Sequence, residues 1–234
     1  MLSKTENPSK ISITNTRLEH GEQIHHVIRA AFEVPEDDTC RECIGREAIA
    51  SMLQRFAEGQ FVAVINEVND SEEEIVVGVA CTMRTNYPPT KPPRAWWETI
   101  GTHHIHNHHP DGEWLYGVEM AVHPTYRKRG IGTMLYEARF DLVKRLNLRG
   151  WYAGGMLMGY HRYEDQMSVR EYGEKVIAGD MKDPTVTMQM NRGFEAWSVI
   201  EDYIEEELAG DAAVLIVWKN PDYQEQAPPP RRRK

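Results

Sequence analysis

The residues best suited to chemistry in this 234-residue chain are Arg127-Lys128-Arg129-Gly130-Ile131-Gly132-Thr133. They sit between two different periodicities. Upstream, Tyr116, Val118, Met120 and Val122 recur at period two; downstream, Ile131, Leu135, Ala138, Leu142 and Leu146 recur at helical spacing. A basic, glycine-rich turn that opens a helix suits a phosphate. Glycine accepts φ > 0 and lets an anion come close to the main chain. The first-turn N–H groups have no helical partner, and the positive end of the helix dipole lies beside them. The segment therefore predicts a phosphorylated ligand gripped mainly by backbone.

Two familiar phosphate loops do not fit. No Gly-Lys-Ser/Thr follows Gly132, which excludes a P-loop, and Leu135 stands where a dinucleotide fingerprint needs its third glycine. What remains is Arg-x-x-Gly-x-Gly, Arg127 to Gly132, after a Val-x-Pro turn (Val122, Pro124). This resembles the coenzyme A diphosphate loop of the GNAT N-acetyltransferases. Asn191-Arg192-Gly193-Phe194 resembles the end of that family's second cofactor helix, and Ala213–Trp218 its last strand. Gly59–Val64 and Val76–Ala80 resemble its two early antiparallel strands. Phe56–Val64, Trp114–Gly117, 149–160 and Asp183–Phe194 are similar to the acetyltransferase module fused ahead of a carbon–nitrogen hydrolase in some bacterial proteins. The 234 residues hold no counterpart of that hydrolase, so its activity is not expected here. The resemblance covers roughly residues 11–220. It implies an α/β layered fold, the acyl-CoA N-acyltransferase (GNAT) fold, with a mixed, mainly antiparallel sheet flanked by helices. It also implies acetyl-CoA as co-substrate.

The elements that would position the loop can be read from periodicity. A strand starts at Ile11, helices cover 22–32 and 46–56, and strands cover 61–67 and 74–84. An insert over 85–113, rich in proline and aromatics, reads as an irregular binding loop. Then follow strand 114–122, the turn, its helix, a strand at 151–156, short helices at 169–178 and 186–191, and strands at 194–204 and 212–218. Residues 1–10 and the Pro/Arg-rich 221–234 read as tails.

Composition narrows the function classes. With 41% hydrophobic and 27% charged residues the chain can bury a core. A net charge of −9 disfavours nucleic acid and anionic membrane; it would attract a cationic amine, or it serves solubility alone. No apolar run long enough to span a bilayer occurs, and residues 1–10 lack a signal-peptide core, so the expected location is cytoplasmic. The expected partner is a small-molecule or peptide amine acceptor, and a homodimer is compatible with the sequence.

Acetyl transfer to an amine needs a held thioester, a polarised carbonyl, and removal of a proton from an ammonium that titrates near ~10.4. Glu119, in the strand entering the loop, is the candidate base; its alternative is a strand-face carboxylate paired with a cation. The resemblance implies a bulged, splayed strand whose main chain at Met120, Ala121 and Val122 contacts the thioester and pantetheine arm. Arg127, Lys128, Arg129, Gly130, Ile131, Gly132 and Thr133 would surround the diphosphate. It also implies a tyrosine acid four residues before Gly193. This chain has Gln189 there, retained as a cofactor contact, and Lys182 replaces an asparagine seven residues earlier. Tyr160, Tyr163 and Tyr203 are candidate replacements. A thiol titrating near ~8.5 also leaves acceptably without an acid.

Five histidines, His103, His104, His106, His108 and His109, crowd the insert. Zinc, copper or nickel is the tempting reading, but only Asp111 is at hand as a carboxylate, and no metal is expected. A wall of the acceptor pocket, with Trp96, Trp97 and His104, is the preferred reading, and capping of the core is an equal alternative for Trp96 and Trp97. Cys40-x-x-Cys43 is a lone pair of thiols without a second pair, and Cys81 reads as a core residue. The leading function is an N-acetyltransferase. The alternatives are a noncatalytic acyl-CoA-binding sensor and a metal-handling protein.

Overall fold

The structure, a computed structural model, describes residues 10–34, 44–66 and 74–225. Among these, seven strands form one sheet: β1 (Ile11–Asn15), β2 (Gln60–Asn66), β3 (Glu74–Thr85), β4 (Trp114–Val122), β5 (Gly150–Met156), β6 (Glu195–Ile200) and β7 (Ala213–Lys219). Their order is β1-β2-β3-β4-β5-β7-β6. The β4–β5 pair is parallel and the others are antiparallel. The helices are α1 (Gly21–Ala31), α2 (Arg46–Phe56), α3 (Trp96–Ile100), α4 (Ile131–Arg145), α5 (Val169–Ala178) and α6 (Val186–Met190). This is the expected mixed, mainly antiparallel sheet flanked by helices.

The central strands are continuous β-branched runs because helices or loops cover both faces: Val62, Ala63, Val64, Val77, Val79 and Ala80 are fully buried. Of the stripe that its spacing predicts, helix α1 buries Ile24, Val27 and Ile28, while Ala31 is partly buried and Phe32, just past the helix, is exposed. Helix α4 buries Ile131, Leu135, Tyr136, Leu142 and Val143, and with them a cation, Arg139.

Two irregularities in β4 shape the rest of the molecule. Its register with β3 jumps from Cys81↔Glu119 to Thr82↔Gly117, so Val118 is an extra, bulged residue. Strict period two therefore fails beyond the bulge: Ala121 is buried, whereas Met120 and Val122 are only partly so. The ladder with β5 spans only Trp114–Tyr116 against Gly150–Tyr152. Beyond it β4 follows β3 through Val122 while β5 follows β7 through Met156. The two strands diverge and leave a wedge-shaped gap.

Three sequence expectations change. The insert is irregular for most of its length, as expected, but it contains a helix and part of the core. Strand β3 runs to Thr85, α3 forms within the insert, and Trp96, Ile100 and Ile105 are core residues. Strand β6 ends at Ile200, so Tyr203 lies in a loop, where its N–H donates to Asp211 O (2.7 Å). Residues 221–225 are docked rather than a tail. Asn147 Nδ2 donates to Gln224 O (2.7 Å), Gln224 N–H donates to Asn147 Oδ1 (2.9 Å), and Arg149 covers the Tyr223 ring. Residues 1–9 and 226–234, and the Cys40/Cys43 pair, lie outside the described residues.

Asp183 joins the start of α6 to the segment after β5. Its Oδ1 accepts from Thr185 N–H (2.8 Å) and Val186 N–H (3.0 Å); its Oδ2 accepts from Gly159 N–H (2.8 Å) and the Tyr172 hydroxyl (3.2 Å). The side chain is 1% exposed. Asp183→Ala leaves these donors unpaired and is expected to lower stability by about 2–4 kcal/mol in chemical denaturation, with Asp183→Asn costing less.

Candidate active site

The gap between β4 and β5 continues into a cavity of about 470 Å³. It opens on both faces of the sheet. A Cβ at Gly154 would strike Tyr203 (2.3 Å), whereas one at the next residue, Gly155, would strike Gln189 Oε1 (2.3 Å). Successive strand residues point to opposite faces, so Tyr203 stands on one side and Gln189 on the other. Tyr136, Arg139, Met188 and Gln189, from α4 and α6, border the cavity along with Trp151. Trp96, Tyr203, Ile204, Glu205 and Glu206 border it as well.

The basic turn has the expected left-handed glycine at Gly130 but not at Gly132, and Lys128 is left-handed unexpectedly. Lys128 (φ 64°) and Gly130 (φ 80°) are left-handed, and Gly130 caps α4 with no side chain of its own. The first helical bond runs from Met134 N–H to Gly130 O (3.1 Å), which leaves the Ile131, Gly132 and Thr133 N–H groups at the exposed end of the helix. Ile131 itself is a core side chain. Arg127 departs from its expected role: its Nη2 donates to Ala31 O (3.0 Å), so its side chain ties the turn back to α1. Arg129 lies over the Tyr126 ring (5.2 Å). A cation not expected here joins the turn. Arg192 Nη2 donates to Thr133 Oγ1 (3.1 Å), and its Nη1 donates to Met188 O (3.1 Å).

Glu119 lies in the gap. Enclosure by protein raises its carboxyl to about 7, although the Met120 N–H bond and the Arg139 charge pull the other way. It keeps part of its surface open to the cavity. His123 N–H donates to Val77 O (3.0 Å), so alternation along β4 turns the Ala121 N–H toward β3 and those of Met120 and Val122 toward the gap. Ala121 is thus not a contact in the gap, contrary to expectation. The Met120 N–H is already engaged, donating to Glu119 Oε1 (2.7 Å). Val122 keeps the expected orientation.

Arg139 is 3% exposed and lies in the wall of the cavity. Its Nε donates to Leu135 O (3.1 Å), its Nη2 meets Met120 Sδ (2.7 Å), and its guanidinium sits over the Trp151 (4.2 Å) and Tyr136 (4.5 Å) rings. Burial lowers it to about 10, so it stays charged at neutral pH. The signal in the sequence was an arginine at position i+4 from Leu135, inside the apolar stripe.

The candidate acids separate. Tyr203 borders the gap; its hydroxyl pairs with that of Tyr116 (2.8 Å), and burial raises both phenols. Tyr160 does not border the gap. Its hydroxyl donates to Met167 O (3.2 Å), and its ring lies against Gly210. Tyr163 stacks on Tyr172 (5.3 Å), away from the cavity. Gln189 Nε2 donates to the Tyr136 hydroxyl (3.2 Å), while its buried Oε1 has no partner among the described residues.

The histidines of the insert are spread among different neighbours. His103 packs edge-on to Trp96 and Trp97, and His104 stacks on His106. His108 stacks on Phe56 and accepts from Arg84 N–H (3.1 Å); burial lowers it to about 4. His109 pairs with Asn86. Among the described residues no group of three or more His, Cys, Asp or Glu could hold a metal ion. Of the proposed acceptor wall, Trp96 reaches the cavity and Trp97 and His104 do not.

With this geometry in place, comparison with known proteins defines the class. A profile of the acetyltransferase (GNAT) family matches residues 22–157, and the chain belongs to that family. Membership assigns the protein its co-substrate class, an acyl-coenzyme A. YkwB of Bacillus subtilis (strain 168), described as an uncharacterized N-acetyltransferase, is 29% identical over 178 residues, 76% of each chain. The probable hydrolase YhcX of the same organism is 37% identical over 182 residues, 77% of this chain. That match covers 34% of YhcX, so the chain spans about a third of this relative. Among solved structures, the GphF GNAT-like decarboxylase in complex with isobutyryl-CoA superimposes with a TM-score of 0.70 at 16% identity, covering 89% of this chain and 99% of that one. The loading GNATL domain of CurA from Lyngbya majuscula gives 0.71 at 14%, covering 90% and 98%. At such identities the likeness is one of fold. Among the described residues no helix is long and apolar enough to cross a membrane.

Proposed function

We propose that the protein transfers an acetyl group from acetyl-CoA to a primary amine by direct attack across the β4–β5 gap. The observation that carries this reading is Glu119: a carboxylate raised to about 7, in a gap bordered on one side by the α4 and α6 side chains and on the other by acidic residues. The N-terminal turn of α4, with Lys128, Arg129 and Arg192, suits the diphosphate. The partnerless Gln189 Oε1 suits an amide N–H of the pantetheine arm. Glu205 and Glu206 suit a cationic acceptor, in keeping with the net charge of −9. In the reaction the amine nitrogen bonds to the thioester carbon, Glu119 takes a proton from the amine, and the C–S bond breaks to release thiolate. We read Tyr203 as orienting the acceptor; its phenol, raised by burial, is a weak acid for the thiolate.

The experiment is thiol release from acetyl-CoA with a panel of polyamines, lysine peptides and free peptide N-termini. Cationic amines are expected to turn over fastest, with kcat/KM falling as salt rises. Tight acetyl-CoA binding without thiol release from any amine would instead favour a noncatalytic acyl-CoA-binding module. The loss of a tyrosine at Gln189 is the one feature that leans that way.

A further inference from the structure

The closed end of the gap contains a donor that no described residue accepts from. Trp151 is 1% exposed, and its Nε1 is buried without a hydrogen-bond partner among the described residues. A buried N–H left unpaired costs about 1–3 kcal/mol, so such a group is a marker for a ligand. Its position is specific. Trp151 pairs with Leu115, one residue before the β4–β5 ladder ends at Tyr116↔Tyr152. Its indole then reaches up to Gly117, the first β4 residue beyond the ladder. A Cβ at Gly117 would lie 3.0 Å from Nε1 and 3.2 Å from the Ala153 Cβ. Both Gly117 and Trp151 border the cavity. Glycine at 117 therefore keeps a Cβ from pressing on the indole N–H, which the enclosed end of the gap otherwise covers. The Arg139 guanidinium, 4.2 Å from the same indole, adds positive potential there and strengthens the N–H as a donor.

We propose that Trp151 Nε1–H donates to the carbonyl oxygen of the thioester and is a catalytic residue. The inference rests on the acetyl-CoA reading above. The gap narrows to a point at Gly117, so a ligand entering from the α4 turn brings its far end, the acyl group, to the indole. On attack, the amine lone pair forms the N–C bond and the carbonyl π pair moves to oxygen. That oxygen becomes an anion facing Trp151 N–H, with Arg139 behind it. Collapse restores the C=O bond and expels the thiolate with the C–S pair, while the amine proton passes to Glu119. Met120 N–H, the main-chain donor expected for this duty, is held by Glu119 Oε1; the side-chain donor fills the role.

The test uses the whole protein and two probes, acetyl-CoA and its thioether analogue S-ethyl-CoA, which lacks the carbonyl oxygen. In 15N–1H spectra the indole resonance absent from Trp151→Phe should move downfield with acetyl-CoA and stay with S-ethyl-CoA. By calorimetry acetyl-CoA should bind wild type on the order of tenfold tighter than the thioether, and Trp151→Phe should erase that difference. Gly117→Ala, which presses a Cβ on the indole N–H, should erase it too, and covers the case in which Trp151→Phe does not fold. Equal affinities in wild type with an unmoved indole signal would overturn the inference while leaving the coenzyme A reading intact. Failure of both probes to bind would overturn that reading and the inference with it.

Discussion

Glu119→Gln is expected to cut turnover by about 10²–10⁴-fold while acetyl-CoA affinity changes little. The glutamine keeps an oxygen for the Met120 N–H, now donated at 2.7 Å to Glu119 Oε1, and loses only the ability to take a proton. The pH profile gives the sharper check. With the carboxyl raised to about 7, the base is protonated below that pH and ionised above it. Turnover should rise about tenfold per pH unit below 7 and level off above it. The variant should lack that limb. Unfolding does not explain such a loss. A carboxyl raised by folding binds a proton more tightly in the native state, so its contribution to stability falls between about pH 4.5 and 7 and stays low above. The glutamine variant should then be at least as stable as wild type at pH 8, which thermal melting measures. Equal turnover at neutral pH would remove Glu119 as the base.

Gly130→Asp is expected to weaken coenzyme A binding by on the order of 10²-fold or more. Gly130 caps α4 at φ 80°, and nothing lies within 4 Å of where its Cβ would be. The added side chain therefore meets open space rather than the protein. Aspartate also tolerates left-handed φ better than most residues. The fold should persist, and the damage should be electrostatic: a carboxylate set among the N–H groups proposed to hold the diphosphate, where like charges cost several kcal/mol. Gly130→Ala separates the contributions, because it carries the backbone strain without the charge and should bind more tightly than the aspartate variant. Calorimetry with coenzyme A measures both. Unchanged affinity in Gly130→Asp would show that the diphosphate binds elsewhere.

Much of this was legible in the residues because it depends on local rules. The alternation of Tyr116 and Val118, the stripe from Ile131 to Leu142, and the glycines at 130 and 132 each report short-range geometry. Helices α2 and α5 begin and end where periodicity places them, at Arg46–Phe56 and Val169–Ala178. The insert was misread because its prolines and histidines are surface-like in composition, yet Trp96, Ile100 and Ile105 are buried by strands distant in sequence. The same blindness applies to the acids. Tyr160, Tyr163 and Tyr203 look alike on the chain, and only packing puts Tyr203 beside the gap and ties Tyr160 to Met167.

The chain alone, then, determined the basic glycine turn that opens α4 and the carboxylate in the strand before it, since a turn and its leading strand are built from neighbours within about twenty residues. The tertiary structure decided what those residues face. Val118 bulges and β4 parts from β5 after Tyr116. The bulge turns Ala121 away from the gap, and the divergence opens a cavity between α4 and the 203–206 loop that Arg139, Trp151 and Glu119 all border. Desolvation, which raises the carboxyl and leaves the indole N–H unpaired, is a property of enclosure, and no local spacing encodes it.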